Sequence, residues 1–241
     1  MVDKPAGPSS FALVAALRRR TRARTGHAGT LDPFATGLLV LFSGAATRLA
    51  PCFIGLDKRY VTDVDLGRTT STADPEGDVL ESHPAPSLAD VEHALARLRG
   101  EVDLPVPVAS AVKIEGERAY KLARRGIAVE MPLRRSTVYA LEAVSWTGPP
   151  QAVSAVRLEL HVSSGTYVRS IAQALGGHCT SLRRTAVGPF TVDEAADVES
   201  VELIAPSVAL ARLPQEAVDR VATSVRAGVL ALEPPGGEGV A

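Results

Sequence analysis

The segment AVRLELHV, residues 155 to 162, sets Val156, Leu158, Leu160 and Val162 in strict alternation with polar neighbours. A period of two is the pattern of a strand with one buried face. KRYVTDVDLGRTT repeats it, with Tyr60, Thr62, Val64 and Leu66 on one face and Val61, Asp63 and Asp65 on the other. Helical patterns are interspersed with these strands, but not in the regular strand–helix–strand rhythm of a doubly wound sheet. The expected fold is mixed α/β (α+β), with a central, largely antiparallel sheet flanked by helices.

The punctuation agrees. Ser9 and Ser10 precede FALVAALRRR, which reads as a helix with a serine cap. Ser87 and Asp90 form a capping box ahead of VEHALARLRG, whose Val91, Ala94, Leu95 and Leu98 make one stripe and whose stop is Gly100. SAVKIEGERAYKLARRG reads as a strand, a turn at Glu115-Gly116 and a helix ending at Gly126. SSG then turns the chain into TYVRSIAQAL, a helix. GLLVLFSG is apolar throughout and closed by glycine, so it reads as one strand buried on both faces. Aromatic residues are 4% of the chain, so the core is expected to be built from Val, Leu and Ala.

Several classes drop out. No apolar run approaches the roughly 18 residues that span a bilayer, and MVDKPAGPSSF has no signal-peptide pattern. Cys52 and Cys179 form neither a disulfide framework nor a zinc motif, and His83, His93, His161 and His178 share no metal-ligand spacing. The expectation is a soluble, cytoplasmic protein without a metal. Net charge is −1, yet residues 1–48 carry seven basic and two acidic side chains, whereas residues 193–241 carry three and nine. Such asymmetry marks either a phosphate-binding face or solvated helix ends.

RTGHAGTLDPFATG, residues 24 to 37, places one carboxylate, Asp32, in a loop of glycine and threonine ahead of the apolar run. An Asp before Pro is commonly a turn residue, hydrogen-bonded to its own backbone. Hydrolysis of a glycosidic bond would need a second carboxylate, which the loop lacks. A lone carboxylate can also be a nucleophile. That reading needs a cation to orient it, and Arg169 in SSGTYVRS could serve, or could equally form a structural salt bridge. Tyr60 is a strand residue with its hydroxyl at an edge, or a platform for a nucleobase. His27 is a backbone-bonded loop histidine, or a flat neutral ring able to replace an extruded base.

Taken in order, KPAG with SS, GHAGTLDPFATGLL, KRY, GRTTSTADPEG, SAVKIEG with RAYKLARRG, GTYVRS and LRRTAVGPF resemble the TruB-type tRNA pseudouridine synthases over about residues 2 to 230. The resemblance implies isomerisation of uridine to pseudouridine in the T loop of tRNA, at position 55, without cofactor or metal. It implies that Asp32 adds covalently to a flipped nucleotide, that Tyr60 stacks on the base, and that Arg169 pairs with Asp32. Tyr167 and Leu182 would line the uridine pocket, His27 would fill the gap in the loop, and Lys4 and Lys113 match positions near the cleft. The partner expected is the T-arm of tRNA, and the protein is expected to be a monomer outside the membrane. Residues 1–225 would form the catalytic domain and 226–241 a short Gly/Pro-rich tail with no complete C-terminal PUA domain. The segment before Leu182 is shorter than the family pattern. A non-catalytic RNA-binding protein and a guide-RNA-dependent synthase are the alternatives; the Asp32, Tyr60 and Arg169 set disfavours the first, and the second would need further domains.

Overall fold

Alternating segments need partners for their backbone N–H and C=O groups, and the chain supplies them within two compact units. The computed structural model describes residues 1–110, 112–114, 117–118 and 130–226. Its strands are β1 (Val2–Lys4), β2 (Thr25–His27), β3 (Thr36–Leu39), β4 (Leu41–Ser43), β5 (Lys58–Asp65), β6 (Arg68–Thr70) and β7 (Val79–Ser82), then β8 (Gly100–Pro105), β9 (Lys113–Ile114), β10 (Glu117–Arg118), β11 (Leu133–Thr147), β12 (Ala155–Val162), β13 (His178–Val187) and β14 (Phe190–Thr191). The helices are α1 (Ser10–Thr21), α2 (Ala50–Ile54), α3 (Leu88–Arg97), α4 (Val168–Ala174), α5 (Pro206–Leu210) and α6 (Gln215–Arg226).

One unit comprises residues 1–58 and 184–241. Within it β3 lies between β1 and β13, β14 folds back on β13, and β2 pairs with β4. The apolar run expected as one strand is two. Thr36–Leu39 pairs antiparallel with β1, Leu41–Ser43 pairs antiparallel with β2, and Val40 between them accepts from the Ala28 amide at 3.1 Å. The run is divided because its two ends find different partner strands. The buried residues are mainly Val, Leu and Ala, as expected, and three phenylalanines join them in one cluster. Phe42, Phe53 and Phe190 meet at its centre, with ring centroids 5.0 Å apart edge-on and 5.5 Å apart stacked. Aromatic scarcity over the whole chain did not exclude their concentration in one cluster.

The other unit, residues 59–183, orders its strands β13–β5–β12–β11–β8. The pairings β11–β12 and β8–β11 are antiparallel, as expected of a sheet with one wet face. Tyr60, Thr62 and Val64 are buried on β5, and Val156, Leu158, Leu160 and Val162 on β12, so both alternating segments bury the expected faces. The Ser87–Asp90 capping box forms, with each side chain satisfying the other's amide. Ser9 likewise caps α1 by accepting from the Ala12 amide at 3.2 Å. β9 and β10 are the antiparallel arms on either side of the expected Glu115-Gly116 turn. That turn, the helix expected to end at Gly126, and the tail beyond residue 226 lie outside the described residues.

Candidate active site

Asp32 lies in the loop between β2 and β3, where backbone cannot pair in a ladder and must be satisfied otherwise. The Asp32 carbonyl accepts from the Ala35 amide at 3.1 Å, which closes a tight turn through Pro33. The turn reading therefore holds for the main chain of Asp32. Side chains grip the remaining loop carbonyls. Lys4, fully buried, donates from Nζ to Pro33 O at 3.0 Å, Ala35 O at 2.6 Å and Pro5 O at 2.9 Å. Arg184, 1% exposed, donates from Nη2 to Gly29 O at 3.0 Å and from Nε to Leu38 O at 2.7 Å. Ser10 Oγ accepts from the Leu31 amide and donates to the Leu31 carbonyl, both at 2.8 Å. The Gly7 amide adds a bond to Pro33 O at 2.9 Å. Two buried cations and the start of α1 thus fix the loop from residue 29 to residue 35.

His27 ends β2, on the same loop. Burial, and then the Arg184 guanidinium, hold its pKa below the ordinary histidine value, so the ring is neutral at pH 7. Its Nδ1 is buried without a hydrogen-bond partner, so the backbone-bonded reading fails for that nitrogen. In the same unit burial lowers Lys58 to about 8, with Arg184 acting in the same sense and Asp57 opposing. Of the two readings of the basic stretch, a phosphate-binding face or solvated helix ends, Arg20 fits neither. Arg20 donates to Val198 O at 2.9 Å and Glu199 O at 2.7 Å, tying α1 to the acidic segment that follows β14.

In the other unit Arg169, 2% exposed, forms an ion pair with Asp74 at 3.1 Å. It also donates to Thr72 O and Ala109 O, each at 2.8 Å. Asp74 is 3% exposed and accepts from the Glu76 amide at 3.0 Å and from the Thr72 hydroxyl. A buried pair survives only when its remaining lone pairs and protons are used in this way. Tyr167 is half-buried at the N-cap of α4, which orients Arg169 in the first turn. The Ser170 hydroxyl anchors that helix to Pro105 O at 2.6 Å. Tyr60 and Leu182 are both buried, on the neighbouring strands β5 and β13, which are joined by Thr62 Oγ1 donating to Ser181 O at 2.6 Å. Lys113 opens β9, opposite Arg118; its side chain lies outside the described residues.

The structure therefore groups Lys4, His27 and Asp32 in one unit, and Tyr60, Tyr167, Arg169 and Leu182 in the other. Two residues that matter to this arrangement, Arg184 and Asp74, went unread in the sequence, and Ser10 was read only with the cap of the first helix. A signal existed for Arg184. It follows Leu182 and precedes Ala186 on the buried face of β13, a place where a charge has to be bonded. Asp74, inside STADPEGD, carries the weaker signal of a turn-forming aspartate.

The N-terminal domain of TruB family pseudouridylate synthases matches residues 18–168. A tRNA pseudouridine synthase B from Mycobacterium sp. (strain KMS) is 44% identical over 210 residues, 83% of this chain and 70% of that protein. The protein of the same name from Novosphingobium aromaticivorans is 41% identical over 232 residues, 90% of this chain and 76% of its own length. Among solved structures, a chain of a Cbf5-Nop10-Gar1 complex superposes with a TM-score of 0.59 at 29% identity, over 81% of this chain. The present chain spans about half (50%) of that one.

Proposed function

Because the chain belongs to the TruB family of pseudouridylate synthases, we propose that it isomerises uridine to pseudouridine at position 55 in the T loop of tRNA, with Asp32 as the covalent catalyst. The protein is a pseudouridine synthase acting on tRNA, as its relatives at 41–44% identity are named. The finer reading rests on one observation. The Asp32 loop is clamped through its own carbonyls by Lys4, Arg184 and Ser10, which fixes the backbone that carries a lone carboxylate.

The reaction breaks the bond from uracil N1 to C1′, forms one from C5 to C1′, and moves a proton from C5 to N1. Nothing is oxidised and no second substrate enters, so one nucleophile that bonds to the flipped nucleotide and is later released suffices. No water has to be activated, which accounts for the missing second carboxylate. The base must leave its stack before these atoms can be reached, at a cost of a few kcal/mol. In this reading Tyr60 stacks on the extruded uracil, Tyr167 and Leu182 line its pocket, and Arg169 orients Asp32. The neutral ring of His27 takes the vacated place in the loop. Lys113 lies beside the bound RNA, no metal or cofactor is required, and a monomer binds the T-arm.

The test is an unmodified tRNA transcript in which pseudouridine is mapped after incubation. Asp32→Asn should abolish product yet bind tRNA within about tenfold of wild type, roughly 1.4 kcal/mol. An isolated T-arm hairpin should react. Wild-type turnover in the Asn variant, or product at another position, would refute the proposal.

A further inference from the structure

Two adjacent arginines at the start of β11 have different fates. Arg135 is paired with Asp103, Nη2 to Oδ2 at 3.0 Å and Nε to Oδ1 at 3.2 Å. Arg134 points to the other face of the strand, the face that carries Ser136 and Val138, both buried. Its own side chain is exposed, and among the described residues it has no hydrogen bond or ion pair. A charge on a core-facing register is expected only where the buried face opens at a rim.

The guanidinium is not loose at that rim. It lies over Gly165, where a Cβ would stand 2.1 Å from Nη2 and 2.7 Å from Cζ. Gly165 adopts φ +82°, a conformation that side chains disfavour, so the same glycine makes the turn and leaves the seat. The turn is itself pinned to β11. The Ser163 amide donates to Thr137 O at 2.8 Å, and the Thr137 amide donates to Ser163 Oγ at 2.9 Å. Two residues beyond the seat is Tyr167, and four beyond is Arg169.

A planar guanidinium held against the Gly165 turn, two residues before Tyr167 and without an ion pair among the described residues, suits an anion presented by an incoming strand. We propose that Arg134, seated on Gly165, binds a backbone phosphate of the RNA next to the nucleotide held by the Tyr167 loop. The assignment rests on the tRNA reading above. It predicts a contact that positions the strand and carries no base information.

The experiment measures pseudouridine formation on a tRNA transcript over a range of salt concentrations, with wild type, Arg134→Gln, Arg134→Lys and Gly165→Ala. Arg134→Gln should raise KM roughly fivefold, the size of one charge-assisted contact, with the loss in KM and not in kcat. The slope of log K against log salt should flatten by about 0.7 to 0.9, one phosphate's worth. Arg134→Lys should keep the slope, since a phosphate accepts a point charge. Gly165→Ala should reproduce the flattened slope although Arg134 is present, because the added Cβ occupies the seat. Its melting temperature, compared with wild type, separates that effect from unfolding. An unchanged slope in Arg134→Gln or in folded Gly165→Ala, or a loss confined to kcat, would overturn the assignment. Absence of product with wild type as well would instead overturn the tRNA reading.

Discussion

A lysine removed from water is tolerated only when its ammonium protons are all used. Lys4 meets that condition with three carbonyls, two of them in the Asp32 turn. Lys4→Met keeps the volume and removes every donor, so the carbonyls go unpaired. The expected cost is about 2–3 kcal/mol in urea unfolding, with activity falling further than stability because the Asp32 turn loosens. A fall in activity no larger than the fall in folded fraction would mean that Lys4 serves the fold alone. Titration gives a second test at this scale. Lys58 has its pKa lowered from 10.5 to about 8 in the fold, chiefly by burial. The unfolded chain therefore holds a proton that the folded one has released between those values. Stability should rise as pH rises from about 8 to 10.5. His27 has the same sign, since its neutral form is favoured by burial; its contribution is lost as pH falls below 6.5. Urea midpoints across pH 8 to 10 should climb more in wild type than in Lys58→Met; parallel curves would remove Lys58 as the cause.

Elements in this chain are positioned by close backbone approach as much as by side-chain packing. Gly37 in β3 has φ +102°, and a Cβ there would lie 2.2 Å from the Arg184 carbonyl oxygen and 2.7 Å from its amide nitrogen. Both obstacles are main chain on the neighbouring strand and cannot turn aside. Gly37→Ala should destabilise by about 3 kcal/mol or more, through left-handed strain and the lost pairing together. The Ser9 cap offers the contrast. It is exposed and serves one amide, so Ser9→Ala should cost about 1 kcal/mol and leave the Asp32 loop intact. If thermal denaturation gave the two variants equal losses, the backbone approach at Gly37 would be looser than described. The caps and alternating faces of these elements were legible in the sequence because each is decided within a few residues. The division of the apolar run at Val40 was not, since it depends on β1 and β2 taking opposite ends of that run.

At the scale of the whole molecule, the charge asymmetry takes a different meaning once the units are drawn. The basic stretch 1–48 and the acidic stretch 193–241 belong to the same unit. Arg20 already bonds the second, so it is unavailable as a phosphate ligand. Arg18, Arg19, Arg22 and Arg24 are exposed and remain. Replacing Arg18, Arg19 and Arg22 together by glutamine should flatten the salt slope of tRNA binding by up to about two units, with chemistry on bound tRNA little changed. Arg20→Gln should instead lower stability and leave the slope alone. A slope unmoved in the triple variant would place the RNA elsewhere.

What the sequence by itself determined is local or cumulative: the caps, the period-two faces, and the ordered motifs that assign the chain to its family. Those signals are written within one element or summed over many, and they survive without knowledge of contacts. Only the tertiary structure decided what the buried charges do. Lys4 reaches Ala35 across 31 positions, Arg169 reaches Asp74 across 95, and Arg184 reaches Gly29 across 155. The carbonyls they satisfy belong largely to irregular backbone, whose unpaired groups exist only after the strands on either side have formed. No local pattern could announce a cation's role when its acceptors are created by the fold itself.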